Sequence, residues 1–137
     1  MAFDDSVRLI WSLTSATPAI GTTITTSGNS GGWSASPPNA RSAVDLRRVD
    51  DVWLSVSAAG GAGTAATVQL DAWDDQGNLF AQLLKVTLAS APGSAVAFGG
   101  RHGGGGSGSY FVLPEWGRVS WTLTGSMTGV EIALYAR

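Results

Sequence analysis

Apolar and polar residues alternate most regularly near the end of the chain. Val119, Trp121 and Leu123 interleave with Arg118, Ser120 and Thr122, and after the small-residue segment GSMTG the alternation resumes with Val130, Ile132 and Leu134 against Glu131 and Tyr135. A period of two puts one set of side chains on one face of a pleated strand, so this pattern predicts a β-hairpin with one buried face, tied into a sheet as far as Arg137. The same period marks residues 6–14, where Val7, Leu9, Trp11 and Leu13 oppose Arg8 and Ser12, with Ile10 interrupting the polar set. In VWLSVS it turns Val52, Leu54 and Val56 inward and Trp53 the other way.

The remaining segments follow the same reading. Residues 20–26 (IGTTITT) are β-branched enough for an edge strand, and 43–49 (AVDLRRV) form a short strand candidate. Val68, Leu70 and Ala72 belong to another strand. LFAQLLKVTLA fits helical spacing as well, but the turn residues Asp75, Gly77 and Asn78 before it and Val86, Thr87 and Leu88 within it favour a strand. AVAF is a brief strand, 110–113 another, and 114–117 a turn carrying Trp116. Eight or nine short strands separated by Gly/Pro turns predict an all-β fold, an antiparallel β-sandwich with a strand count that suits a jelly roll. Its expected core is Leu9, Trp11, Val52, Leu54, Leu70, Val119, Trp121, Leu123, Ile132 and Leu134. The chain reads as one domain over 1–137, with an N-terminal arm at 1–5 and long loops at 27–43 and 99–109.

Charge changes the picture of the surface. Charged residues are 13% of the chain, against about 25% in an ordinary soluble domain, so much of the surface must be Ser, Thr, Gly and Ala. The net charge of -2, with its cations scattered, argues against a nucleic-acid partner. Lys85 is the one lysine among eight basic residues. Arginine is enriched and lysine depleted at interfaces, although an Arg-, Gly- and Ala-rich codon usage gives the same bias. With no cysteine, the chain has neither a disulfide framework nor a thiolate metal site. The start MAFDDSVRLIW carries Asp4 and Asp5 where a secretory signal carries cations, and the expectation is a protein made in the cytoplasm without a signal peptide. No apolar run approaches the roughly 18 residues of a membrane helix, so no membrane partner is expected.

Candidate chemistry is sparse. His102 is the single histidine, beside Arg101 in RHGGGGSGS, and the sequence supplies neither a nucleophile nor an orienting acid for it. The glycine run lacks the GK[ST] ending of a phosphate cradle. Asp71, Asp74, Asp75 and Asn78 could offer oxygens to calcium, but their spacing misses the twelve-residue loop pattern and suits a hairpin turn. No enzyme activity, cofactor or metal is therefore expected. Of six tryptophans, Trp11 and Trp121 belong to apolar faces, whereas Trp53 and Trp73 fall on the opposite phase and Trp33 and Trp116 in loops. Indoles of that kind stack on sugars or anchor protein contacts. Residues of partner-contacting character are Trp33, Arg41, Trp53, Trp73, Arg101, His102 and Trp116.

A small, cysteine-free, Gly/Ala/Ser/Thr-rich β-protein with SVRLIWSLT at its start, the loop RHGGGGSGSYFVL and the end RVSWTLTGSMTGVEIALYAR resembles the small virion proteins of tailed bacteriophages, the capsid cement or decoration proteins above all. The resemblance spans the whole chain in character rather than in a motif, so it assigns no residue a role. It implies a non-enzymatic virion protein that forms a homo-oligomer, a dimer or trimer, and bridges subunits of the major capsid protein or other virion proteins. A tail, collar or spike-base protein is the nearest alternative, and a carbohydrate-binding β-sandwich module the alternative from another class. Tryptophans aligned on one rim (Trp53, Trp73, Trp116) would favour sugar. Tryptophan and arginine spread over separate patches would favour assembly.

Overall fold

The computed structural model describes residues 7–14, 27–29, 44–61, 65–73, 79–102, 109–110, 113–124 and 127–137. Their regular structure is all strand: β1 Arg8–Thr14, β2 Ser27–Asn29, β3 Val44–Asp45, β4 Asp51–Ala58, β5 Gly60–Gly61, β6 Ala65–Trp73, β7 Leu79–Leu88, β8 Gly93–Gly100, β9 Ser109–Tyr110, β10 Trp116–Thr124, β11 Met127–Thr128 and β12 Glu131–Ala136. Eight of these are three residues or longer. Sheet I has the order β1-β12-β4-β8-β9, sheet II the order β2-β10-β6-β7 with β3 also on β10, and β5 pairs with β11. The pairing is antiparallel except between β8 and β9.

The two sheets face each other across one core. Sheet I contributes Val52, Leu54, Val56, Ile132 and Leu134, and sheet II contributes Val68, Leu70, Leu84, Val86, Val119 and Leu123. Alternation is the cause: each inward residue is flanked by outward ones, so a one-residue slip in register would expose the whole set. Trp11 of sheet I stacks on Trp121 of sheet II, with ring centroids 6.0 Å apart. The segment LFAQLLKVTL is strand β7, as its β-branched residues and preceding turn letters predict.

Several expectations are corrected. The terminal alternating segments do not form a hairpin: β10 pairs with β2, β3 and β6 in sheet II, whereas β12 lies between β1 and β4 in sheet I. Both strands bury an apolar face, but they bury it against each other across the core instead of side by side. The corner between them is held by β11 on β5 and by Gly129, whose φ of 60° and closeness to Ala59 leave no room for a side chain. Of the described residues 44–49, Val44–Asp45 is strand, and a turn at Arg47-Arg48 follows it. Trp116 opens β10 instead of sitting in a turn, and Gly99 and Gly100 of the expected loop at 99–109 belong to β8. The expected arm at 1–5, the strand at 20–26 and most of the loop at 27–43, of which 27–29 are β2, lie outside the described residues.

Leu9 is a further correction. A bulge between Leu9 and Trp11 inserts Ile10 as an extra residue against β12, so Leu9 is 53% exposed while Ile10, Trp11 and Leu13 pack on the core. Leu9→Ala is accordingly expected to cost under about 1 kcal/mol, whereas Leu134→Ala, deleting a side chain with no exposure, should cost roughly 2–5 kcal/mol. Urea denaturation of the two variants checks this.

Candidate functional site

Asp51, His102 and Arg137 meet where three neighbouring strands of sheet I end. Asp51 begins β4, Arg137 follows β12, and His102 lies two residues past β8. The Asp51 side chain is 4% exposed. Its Oδ1 accepts from the His102 backbone N–H at 2.8 Å, and its Oδ2 takes the His102 Nδ1 at 3.0 Å and an Arg137 guanidinium nitrogen at 2.9 Å. The main chain closes the same knot: Asp50 and Asp51 N–H donate to the Arg137 carbonyl, Arg137 N–H to that of Asp51, and Arg101 N–H to that of Asp50. Burial alone would raise the Asp51 pKa, but the bonds from Arg137 and from the His102 amide and ring outweigh it and hold the carboxyl below its ordinary value. An ionised carboxylate only accepts, so His102 Nδ1 carries the proton and donates it. The depression of about 260 Å³ beside them is lined by Asp50, Asp51, His102 and Arg137.

The outward face of sheet I continues from this knot. Cross-strand register places Leu9, Tyr135, Trp53 and Phe98 in one row over four strands. Trp53 and Phe98 stack at 6.4 Å and 17°, and the Arg137 guanidinium lies 5.5 Å from the Trp53 ring centre. The next row is Ser12, Ala133, Ser55 and Val96, in which Ala133 is buried and Val96 exposed. Beyond it come Glu131, Ser57 and Ser94. Among the described residues, the large hydrophobics left exposed are Val7 (48%), Leu9 (53%) and Val96 (61%). Leu9 and Val96 belong to these rows, and Val7 precedes Leu9 by two positions on the same strand phase.

Sheet II differs. Arg47 forms a two-toothed pair with Asp45, at 3.0 and 2.8 Å, and its guanidinium lies 4.9 Å from the centre of the Trp116 ring. The hydrogen bond from Arg47 holds the Asp45 carboxyl below its usual range. Asp71, with no exposure, is held by Gln69 Nε2 at 3.1 Å, Ser120 Oγ at 3.5 Å and Arg118 at 3.7 Å. These bonds occupy the carboxylate that the sequence offered to calcium; Asp74, Asp75 and Asn78 lie outside the described residues.

Of the predicted contact residues, Trp53, Arg101 and His102 come together at one end of sheet I. Trp116 belongs to sheet II, with Trp73 opposite it in the β-ladder. Trp33 and Arg41 lie outside the described residues. Sequence reasoning missed Asp51, and with it the orienting acid of His102. It also missed Arg137, Tyr135, Phe98 and Leu9. A usable signal existed for one of these, since Asp51 stands two positions before Trp53 and so shares its strand phase. Neither a family model nor a curated protein matches this chain.

Proposed function

We propose that the protein is a non-enzymatic virion structural protein of the capsid cement or decoration type, strengthening a shell by burying surface against capsid subunits. The observation that carries the reading is the separation of its surface aromatics. Trp53 with Arg101 and Arg137 belongs to sheet I, Trp116 with Arg47 to sheet II, which suits contacts with several neighbours rather than one sugar cleft. Exposed apolar residues gathered on one sheet face support a protein contact there. The strand orders β1-β12-β4-β8 and β2-β10-β6-β7 support a jelly-roll arrangement of the sandwich. The Asp51–His102 pair reads as a structural clip, because Asp51 is shared with Arg137 and, among the described residues, no hydroxyl is hydrogen-bonded to the ring. Sugar stacking is disfavoured at Trp53, where Arg137 already occupies a ring face.

Many copies on one lattice would gain by avidity what each contact lacks in strength. Purified protein should co-sediment with empty capsid shells from its own source, and Val96→Asp should weaken that binding at least tenfold while leaving the unfolding midpoint within a few degrees. Failure to bind shells, together with retention on a polysaccharide resin, would replace this reading by the carbohydrate-binding one.

A further inference from the structure

We infer that the outer edge of β8 is a strand-acceptor site, which takes an extended, uncharged segment of a partner protein as an added strand of sheet I. The backbone bonding fixes which groups are on offer. Asp51 and Arg137 exchange N–H···O bonds in both directions, and bonded pairs recur at every second residue of an antiparallel ladder. Asp51, Trp53, Ser55 and Ser57 therefore bond to β12, which leaves Val52, Leu54, Val56 and Ala58 to bond to Gly99, Ala97, Ala95 and Gly93 of β8. The N–H and C=O groups of Ser94 and Val96 point the other way, out of the sheet edge. Among the described residues β9 takes up that edge only at Gly99 and Gly100. Exposure agrees: Ser94 is exposed, and Val96 is 61% exposed.

The same edge lacks the devices that close an edge strand to other chains. Among the described residues, β1 carries a bulge at Ile10 and exposed Arg8, while β7 slips register against β6 twice and carries exposed Lys85. β8 has neither. Its ladder with β4 runs from Asp51↔Gly100 to Ala58↔Gly93 without a shift, and the chain has no charged side chain between Lys85 and Arg101.

These groups specify the occupant. Main-chain donors and acceptors repeating at every second residue are matched by another extended backbone, not by a helix, whose main chain bonds to itself. On the inner side Ala95 and Ala97 are half-buried, although Val56 and Leu54 across the ladder have no exposure, so the core thins toward this edge. An apolar residue at every second position of the added strand would cover it. A charged segment would lose hydration there with no opposite charge on β8 to offset the loss. Ahead of β9 there is room for about five residues, roughly 16 Å of strand. A second β8 fits less well: pairing its Val96 with Ser94 would drive the bend at its Pro92 against Ser109, which already lies opposite Gly99. So short a contact falls below the ~1,200 Å² of a stable interface, and its Kd should be on the order of 100 µM. The inference adds the form of one contact to the assembly role proposed above and does not require the partner to be a capsid.

Amide hydrogen exchange on the free protein gives the first test. The Ser94 and Val96 amides should exchange fast and those of Ala95 and Ala97 slowly; protection of Ser94 and Val96 overturns the inference, because the edge is then already covered. A random decapeptide library, displayed in many copies so that avidity retains weak binders, is then panned on the purified protein. It should enrich uncharged segments with apolar residues at alternate positions, and the synthesised peptides should slow exchange at Ser94 and Val96 roughly tenfold. Val96→Pro removes an N–H that faces the edge and not β4, so the variant should fold, by circular dichroism, and bind these peptides roughly tenfold more weakly. Val96→Lys keeps the backbone and sets a charge on the edge, and should weaken binding in the same direction. No enrichment, or peptides that bind both variants as they bind wild type, overturns the inference. So does a dimer in sedimentation velocity that Val96→Pro abolishes, which would make the occupant a second copy. The shell-binding reading fails separately. Peptides bound and shells not bound leave the strand acceptor without the virion role; shells bound equally by wild type and Val96→Pro, with no peptide enriched, leave the virion role without this edge.

Discussion

Replacing Gly100 by alanine is expected to lower the unfolding midpoint by roughly 10 °C or more. Gly100 ends β8 opposite Asp51 with φ of 139°, a conformation that L side chains rarely adopt. A Cβ there would fall on the Asp50 carbonyl oxygen and within 2.7 Å of the Asp51 Cα. Both atoms are backbone, so no rotamer change relieves the clash. Either β8 moves away from β4, losing the bonds by which Arg101 and His102 hold Asp50 and Asp51, or the strain stays. Overpacking of about 1–3 kcal/mol and a backbone penalty of about 1–3 kcal/mol combine to roughly 3–4 kcal/mol, which for a chain of this length corresponds to that shift. Differential scanning calorimetry of Gly100→Ala beside Ser94→Ala, at an exposed position of the same strand, checks it.

Asp51→Asn should cost about 2–4 kcal/mol at neutral pH and also reshape the acid limb of the stability curve. The side chain is nearly the same size, but the amide has one acceptor oxygen where the carboxylate offers two to His102 and Arg137, and its NH₂ would be turned toward a cation. The sign of the pH effect follows from the lowered pKa of Asp51 in the folded protein. Its contribution is complete above the unfolded-state value of about 3.9 and is lost as pH falls below that value and through the lower folded one. Wild type should therefore lose more stability between about pH 5 and pH 2 than Asp51→Asn does. Parallel acid-limb slopes in urea melts of the two proteins would show that Asp51 is not the linked group.

The strands were legible because alternation reports burial directly: β4, β6, β10 and β12 all turn the predicted residues inward. Which strands pair was much less legible. Val119-Trp121-Leu123 and Val130-Ile132-Leu134 carry the same signal whether they lie side by side or face each other across a core, and nothing local distinguishes the two. The bulge at Ile10 left a trace, an apolar residue at a polar position, but the trace does not say which neighbour turns outward. The Asp51 knot joins residues 51, 102 and 137, brought together only by sheet order. The aromatic row was hidden for the same reason: Trp53 and Tyr135 each showed their outward phase, but that they lie side by side with Phe98 beyond them depends on sheet order.

The placement of β12 inside sheet I also fixes an order of events during synthesis. β12 is made after every other strand of its sheet, yet it lies between β1 and β4, both of which leave the ribosome long before it. Until residue 136 has emerged, β1 has no described neighbour in the sheet and β4 has one edge uncovered, so the sandwich cannot close from its start as the chain is translated. Half of the core must instead wait, with apolar strand edges open, for pairings that span over a hundred residues between β1 and β12. Such non-local closure belongs to the slow end of folding for small domains, in the range of milliseconds to seconds, and the waiting chain is the form most exposed to aggregation.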